Sequence, residues 1–169
     1  MVYGEKNVKD AKTFFANLAS IPKHYLYESG GIRQGMLTVS WLRNLLGEDV
    51  LKKAEIHGIS PEEVLNREAR KVAAGSDGLM TVPEWLAPPE KPFKKGIMIG
   101  FHGRHTRAHM HRSLLEAISL TMKNHMDAMC TELNIDLDRI IVSGNFEFIS
   151  SETVILTDRG FPRFVLLRG

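Results

Sequence analysis

Cysteine is almost missing from this chain of 169 residues. Cys130 stands alone, which excludes an intramolecular disulfide and any cysteine-based zinc site and fits a reducing compartment. Long hydrophobic runs are missing too. No stretch of about 18 apolar residues exists to span a bilayer, and the N-terminal MVYGEKNVKDAK lacks the apolar centre of a signal peptide. The expectation is a cytoplasmic protein with no membrane partner. Charge of one sign is also lacking, because 22 basic and 20 acidic side chains leave a formal charge of +2. Apart from Arg104, Arg107 and Arg112 the cations are scattered, whereas a nucleic-acid binder gathers them on one stripe, so no nucleic acid is expected. No Ser-His-Asp or Cys-His arrangement can be assembled, no pair of carboxylates stands out for acid–base work, and no catalytic residue is assigned.

What is present suffices for one domain with a core of ordinary size, since 43% of the residues are hydrophobic. Residues 1–23 are weakly patterned, with Val8, Phe14, Phe15 and Leu18 spaced for one face of a short helix. His24 to Tyr27 predicts a strand, stopped by Ser29-Gly30-Gly31. Met36, Val39, Leu42 and Leu46 fall on one helical face, with Gly47 placed to end that helix. Ser60-Pro61-Glu62-Glu63 is the sharpest local signal. Serine as N-cap, proline at the first helical position and glutamate at the third predict a helix from Pro61 to about Ala74. Gly75-Ser76-Asp77-Gly78 is a tight turn before a strand over 79–82. The following PEWLAPPEKPFKKG holds four of the seven prolines and is a loop. From about His105 to Leu133, Met110, Leu114, Ile118, Met122, Met126, Met129 and Leu133 recur every three or four residues, which predicts one long helix. RIIVS then forms a buried strand, and a helix leading by a short turn into such a strand is half of a parallel α/β layer. The last 25 residues suggest two strands around Asp158-Arg159-Gly160.

Three local clusters carry possible chemistry. His102, His105, His109 and His111 lie within "HGRHTRAHMH". Two histidines one helical turn apart suit a metal, but the glutamate of a metalloprotease helix is missing, so packing and hydrogen bonding near a helix start is the preferred reading and no metal ligand is assigned. "GSDGLMTVP" lacks both the Lys-Ser/Thr pair and the following helix of a phosphate loop. Arg112 and Glu116, four apart, read as an ordinary surface pair.

In order along the chain, "ESGGIRQGMLTVSWLRNLLG", "AAGSDGLMTVPEWL", "GIMIGFHGRHTRAHMHRSLLEAISLTM" and "RIIVSG" resemble the C-terminal lobe of the FGGY carbohydrate kinases. In these xylulokinase- and ribulokinase-like sugar kinases a glycine-rich stretch precedes a Trp-containing helix. A glycine-bounded turn leads to a strand ending in proline. A helix opens with His-Thr-x-x-His-x-x-Arg, and a strand delivers the adenosine loop. The resemblance covers residues 24–144, and its order is more specific than any one piece. It implies an α/β fold, a partial ribonuclease H-like lobe of the actin/hexokinase ATPase superfamily with helices packed on a mixed sheet. It gives His105 and His109 a structural role, names ATP and Mg as the family's cofactors, and sets Gly35 and Ser40 on one side of the nucleotide with Gly144 and Asn145 on the opposite wall.

The departures from the family pattern bear on activity. Residues 1–23 supply neither the family's phosphate-holding Gly-Thr-Gly turn nor its catalytic aspartate, since Asp10 has no matching context. "PPEKPFKKG" stands where the family has Gly-Glu-Arg-x-Pro. After Gly144 the further glycines and Trp-containing helix give way to Asn145-Phe146-Glu147-Phe148, so 145–169 reads as a divergent tail from a shifted reading frame or a recombined gene end. Phosphoryl transfer rests on positioned groups and Mg²⁺. The resemblance therefore implies a truncated kinase, descended from an enzyme phosphorylating a ketose or polyol and inactive by itself, that does not bind nucleotide productively. Two alternatives stand beside it. One is a non-catalytic interaction protein, a homo-oligomer or one covered by a partner chain, docking through the Met-rich helix face; the other is a metal-binding module on the histidine cluster.

Overall fold

The computed structural model describes residues 2–137, 139–142 and 163–166, the last two stretches as backbone. Gly144, Asn145 and residues 153–157 of the expected terminal hairpin lie outside the described residues.

The chain opens with a three-stranded antiparallel sheet of β1 (Val2–Gly4), β2 (Phe15–Leu18) and β3 (Tyr25–Glu28), in the order β1-β3-β2. The helical spacing of Phe14, Phe15 and Leu18 misleads here. Phe15 pairs with Glu28 and Leu18 with Tyr25, and that non-local pairing overrides a weak local pattern. Phe14, Val2 and Tyr27 turn inward onto Met129. The Tyr27 hydroxyl donates to the Lys6 carbonyl at 2.7 Å, pinning the loop after β1.

Helix α1 (Gly35–Leu45) buries Thr38, Val39 and Leu42. It ends one residue before the expected stop, and Gly47, at φ 79°, serves instead as N-cap of α2 (Glu48–His57). That second helix is not evident in the sequence. Helix α3 (Pro61–Ala69) starts as expected, with Ser60 Oγ accepting from the Glu63 amide at 3.1 Å, but it ends five residues early. Val50 and Ala54 of α2 pack on Val64 and Leu65 of α3 as a small core of their own.

A ribbon of β4 (Met80–Val82) and β5 (Ile97–Ile99) pairs antiparallel, Met80 with Ile99 and Val82 with Ile97. The spine of the fold is α4, the 27 residues Arg107–Leu133. Its first half meets α1 through Leu114, Leu115 and Ile118 against Val39 and Leu42, with Met98 of β5 on the same cluster. Its second half meets the first sheet through Met129 and Leu133. Strands β6 (Arg139–Val142) and β7 (Arg163–Leu166) pair in parallel. The class is α/β, with the strands of the described residues distributed over three small sheets. Among the described residues no helix is long and apolar enough to cross a membrane.

Candidate functional site

The conformationally costly segment is the turn between α3 and β4. Gly75, Ser76, Asp77 and Gly78 all have positive φ, at 89°, 51°, 52° and 85°. Glycine takes this region freely, whereas an L-residue such as Ser76 or Asp77 is disfavoured there by roughly 1–2 kcal/mol. The turn is held from beneath by α4. Glu116 Oε1 accepts from the Gly75 amide at 2.9 Å and from Arg112 Nε at 2.9 Å, while Glu116 Oε2 accepts from Ser76 Oγ at 3.1 Å. Arg112 and Glu116 are 7% and 5% exposed. This corrects the surface-pair expectation: every residue from His111 to Ser119 is buried, so the middle of α4 has no solvent face for the pair to occupy. Gly100 closes the other side, since a Cβ there would lie 2.5 Å from the Gly78 carbonyl oxygen.

Above the turn sit the histidines. His102 Nδ1 accepts from the Arg104 amide at 3.2 Å, and His105 Nδ1 accepts from the His102 amide at 3.1 Å. With both Nδ1 lone pairs engaged, the neutral tautomers place the proton on Nε2. His102 Nε2 donates to Asp77 Oδ2, and His105 Nε2 donates to the Asp77 carbonyl, each at 3.1 Å. The two rings are in contact, with centroids 3.8 Å apart. Helix α4 begins at Arg107, so His105 precedes it. His109 occupies the third helical position, its Nδ1 accepting from the Thr106 amide at 3.2 Å. His111 points elsewhere, buried under α3, where its Nε2 donates to Asn66 Oδ1 at 2.9 Å. Its Nδ1 has no hydrogen-bond partner among the described residues, and burial drives its pKa down to about 4.

Asp77, His102 and His105 bring three ligand atoms within 4.8 Å of one another, a set of the right chemical kind for a divalent transition metal. The protons argue against that use. A metal takes an unprotonated nitrogen, and both converging Nε2 atoms carry hydrogen as long as the backbone amides occupy Nδ1. As placed, the histidines act as donors that hold Asp77 in its left-handed conformation.

A groove of about 690 Å³ runs beside this assembly, lined by Glu68, Lys71, Asp77, Thr106 and His109 among others. Of its lining, Glu68 is tied by Arg107, which reaches both Glu68 oxygens (2.7 and 2.6 Å) and also Asp49 Oδ2 (2.5 Å). These contacts hold the Glu68 and Asp49 carboxyls below their usual pKa range and raise that of the guanidinium.

Of the nucleotide-facing candidates, Gly35 and Ser40 are on α1. Gly35 is the first residue of α1, behind Gln34 in the left-handed region (φ 62°), and no side chain caps this helix. The Gly35 amide donates to the Ile32 carbonyl at 3.4 Å, which leaves the Met36 and Leu37 amides of the first turn to face an anion. Ser40, half-buried, is five residues on, about 140° around the axis from Gly35 at 100° per residue, so the helix does not bring the two together. Trp41 stacks obliquely on Trp85, centroids 5.0 Å apart, fixing α1 against the proline-rich loop.

A family model, "FGGY family of carbohydrate kinases, C-terminal domain", matches residues 1–145. The chain belongs to this family. It is 45% identical over 144 residues to "Uncharacterized sugar kinase YgcE" of Escherichia coli (strain K12), covering 85% of this chain and 29% of that protein. It is 28% identical over 145 residues to the gluconokinase of Bacillus subtilis (strain 168), covering 84% and 28%. The crystal structure of xylulose kinase from Rhodospirillum rubrum superimposes with a TM-score of 0.75 at 24% identity, over 99% of this chain and 32% of that one. At that identity the superposition shows the shared FGGY kinase fold. The chain spans less than a third of the length of these relatives. The FGGY match also reaches residues 1–23, whose strands β1 and β2 flank β3 in one sheet.

Proposed function

We propose that this chain is a nucleotide-facing part of an FGGY sugar kinase lobe and that it transfers no phosphoryl group by itself. The observation that carries this reading is the FGGY C-terminal-domain match over residues 1–145, in a chain spanning 29% of its 45%-identical sugar-kinase relative. FGGY kinases transfer a phosphoryl group from ATP with Mg to a sugar or polyol hydroxyl. That step needs the acceptor hydroxyl, a base and the metal held in line. The described carboxylates nearest the turn and groove are committed elsewhere. Asp77 is bound by His102, Glu116 by Arg112 and the Gly75–Ser76 amide and hydroxyl, and Glu68 and Asp49 by Arg107. What α1 supplies toward ATP is an uncapped N-terminus opened by Gly35, an element suited to phosphate. Mg²⁺ prefers several oxygen ligands and retained waters, so in this reading it arrives with the triphosphate.

Isothermal titration with Mg-ATP is the direct test, paired with a coupled kinase assay against gluconate, glycerol and xylulose. The expected outcome is at most millimolar binding, weakened by Gly35→Asp through charge at the α1 N-terminus, and no turnover with any of the three. Micromolar binding, or measurable turnover by the purified chain, would overturn the inactivity.

A further inference from the structure

We propose that two copies of this chain pair through the outer face of the β4–β5 ribbon. The register sets the argument. Met80 stands opposite Ile99 and Val82 opposite Ile97, so these four side chains share one face, while Thr81 and Met98 share the other. The inner face is filled: Thr81 Oγ1 hydrogen-bonds Ser113 Oγ of α4, and Met98 packs on the α1–α4 core. The outer four are 63%, 43%, 51% and 58% exposed in chain order, and Phe101, just beyond β5, is 54% exposed. An antiparallel ribbon with one face on a core normally turns polar residues to water on the other. Here both faces are apolar, the pattern of a sheet covered on both sides.

Area and charge favour an identical chain as the cover. The five side chains expose on the order of 500 Å² of apolar surface, at the upper end of what a monomer commonly shows. Two such faces together remove about 1,000 Å², which reaches the lower limit for a specific interface. The six ribbon residues include no charge for an oppositely charged partner to grip. Lys94–Glu84 at 2.9 Å pairs charge at one end of the ribbon and Arg104–Asp77 at 3.7 Å at the other, while exposed Lys95, two residues before Ile97, has no ion pair among the described residues. Antiparallel stacking of two ribbons sets the two Lys95 ammonium groups at opposite ends, and an apolar, self-matched face is the usual character of a two-fold homodimer. The Met-rich stripe of α4 is the weaker docking surface, because Met129 is buried and Met110, Met122 and Met126 are half-buried.

Multi-angle light scattering from low to several hundred micromolar chain tests the proposal. The wild type is expected to pass from one-chain to two-chain mass, and Ile97→Lys with Ile99→Lys to stay at one-chain mass with an unchanged far-ultraviolet circular dichroism spectrum. Ile97→Thr, which keeps a strand-compatible β-branched residue, should raise the dimer dissociation constant about tenfold. A wild type of one-chain mass at every concentration would overturn the pairing, whether the face is bare or covered by the chain's own C-terminal residues. A dimer undiminished in the double variant would overturn its location.

Discussion

The middle of α4 and the outer face of the β4–β5 ribbon reverse the ordinary placement of residues, in opposite directions. In α4, Arg112, Glu116 and His111 lie within the core, while on the neighbouring ribbon Met80, Val82, Ile97 and Ile99 lie in solvent. The contrast teaches that burial here follows position in the assembly and not side-chain polarity. Helix α4 is the element on which α1, α3, the Gly75–Gly78 turn and the ribbon converge, so whatever stands at its centre is buried and must find partners. The ribbon is an outermost layer, so its second face stays open however apolar it is. Buried charges survive because each is matched: the Glu116 carboxylate collects a guanidinium, an amide and a hydroxyl.

Breaking the buried side of the comparison should have the largest effect. Glu116→Ala leaves Arg112 without that carboxylate and the Gly75 amide without its acceptor. Urea denaturation should show a loss of about 3–5 kcal/mol, and a loss below 1 kcal/mol would mean that the turn does not depend on α4. His111 supplies the next effect, through pH. Its folded pKa near 4 lies below the ordinary 6.5, so between those values the unfolded chain binds a proton that the native one refuses. Stability is therefore full above pH 6.5 and declines as pH falls toward 4, by about 2 kcal/mol at pH 5. His111→Gln, which still has a donor for Asn66, should flatten the slope between pH 6.5 and 5. Losses below about pH 4.5 should persist in that variant, because the Glu68, Asp49 and Glu132 carboxyls, held low by their partners, take up protons there. Ser60→Ala removes a single cap and should cost about 1 kcal/mol in the same denaturation series. On the exposed side, Ile97→Thr, measured at a concentration where the chain is a monomer, should change stability by no more than about 0.5 kcal/mol. A larger loss would show the ribbon's outer face to be internally packed.

Legibility in the sequence followed the range of the interactions. The Ser60-Pro61-Glu63 start of α3 was readable because a cap is made by residues three apart. The α4 span was readable to within two residues because its apolar recurrence runs over many turns. Helix α2 was not, since Leu51 and Ile56 are exposed beside the buried Val50 and Ala54 and blur any single stripe. Strand β2 was misjudged because pairing with β3 across a loop decides it. Of the candidate site, the turn and the hydrogen-bonding place of His105 and His109 at the start of the long helix were visible. The clamp on the turn was not, because Arg112 and Glu116 have the same i, i+4 spacing whether they lie on a surface or in a core.

By itself, the sequence determined the Ser60 cap, the long central helix, the glycine-bounded turn and the FGGY family, all matters of local spacing and of ordered motifs. Only the tertiary structure decided which charges are buried, which ring nitrogens carry protons, and which apolar face is left in water. Those depend on what lies within a few ångströms across the chain, and linear spacing does not encode it.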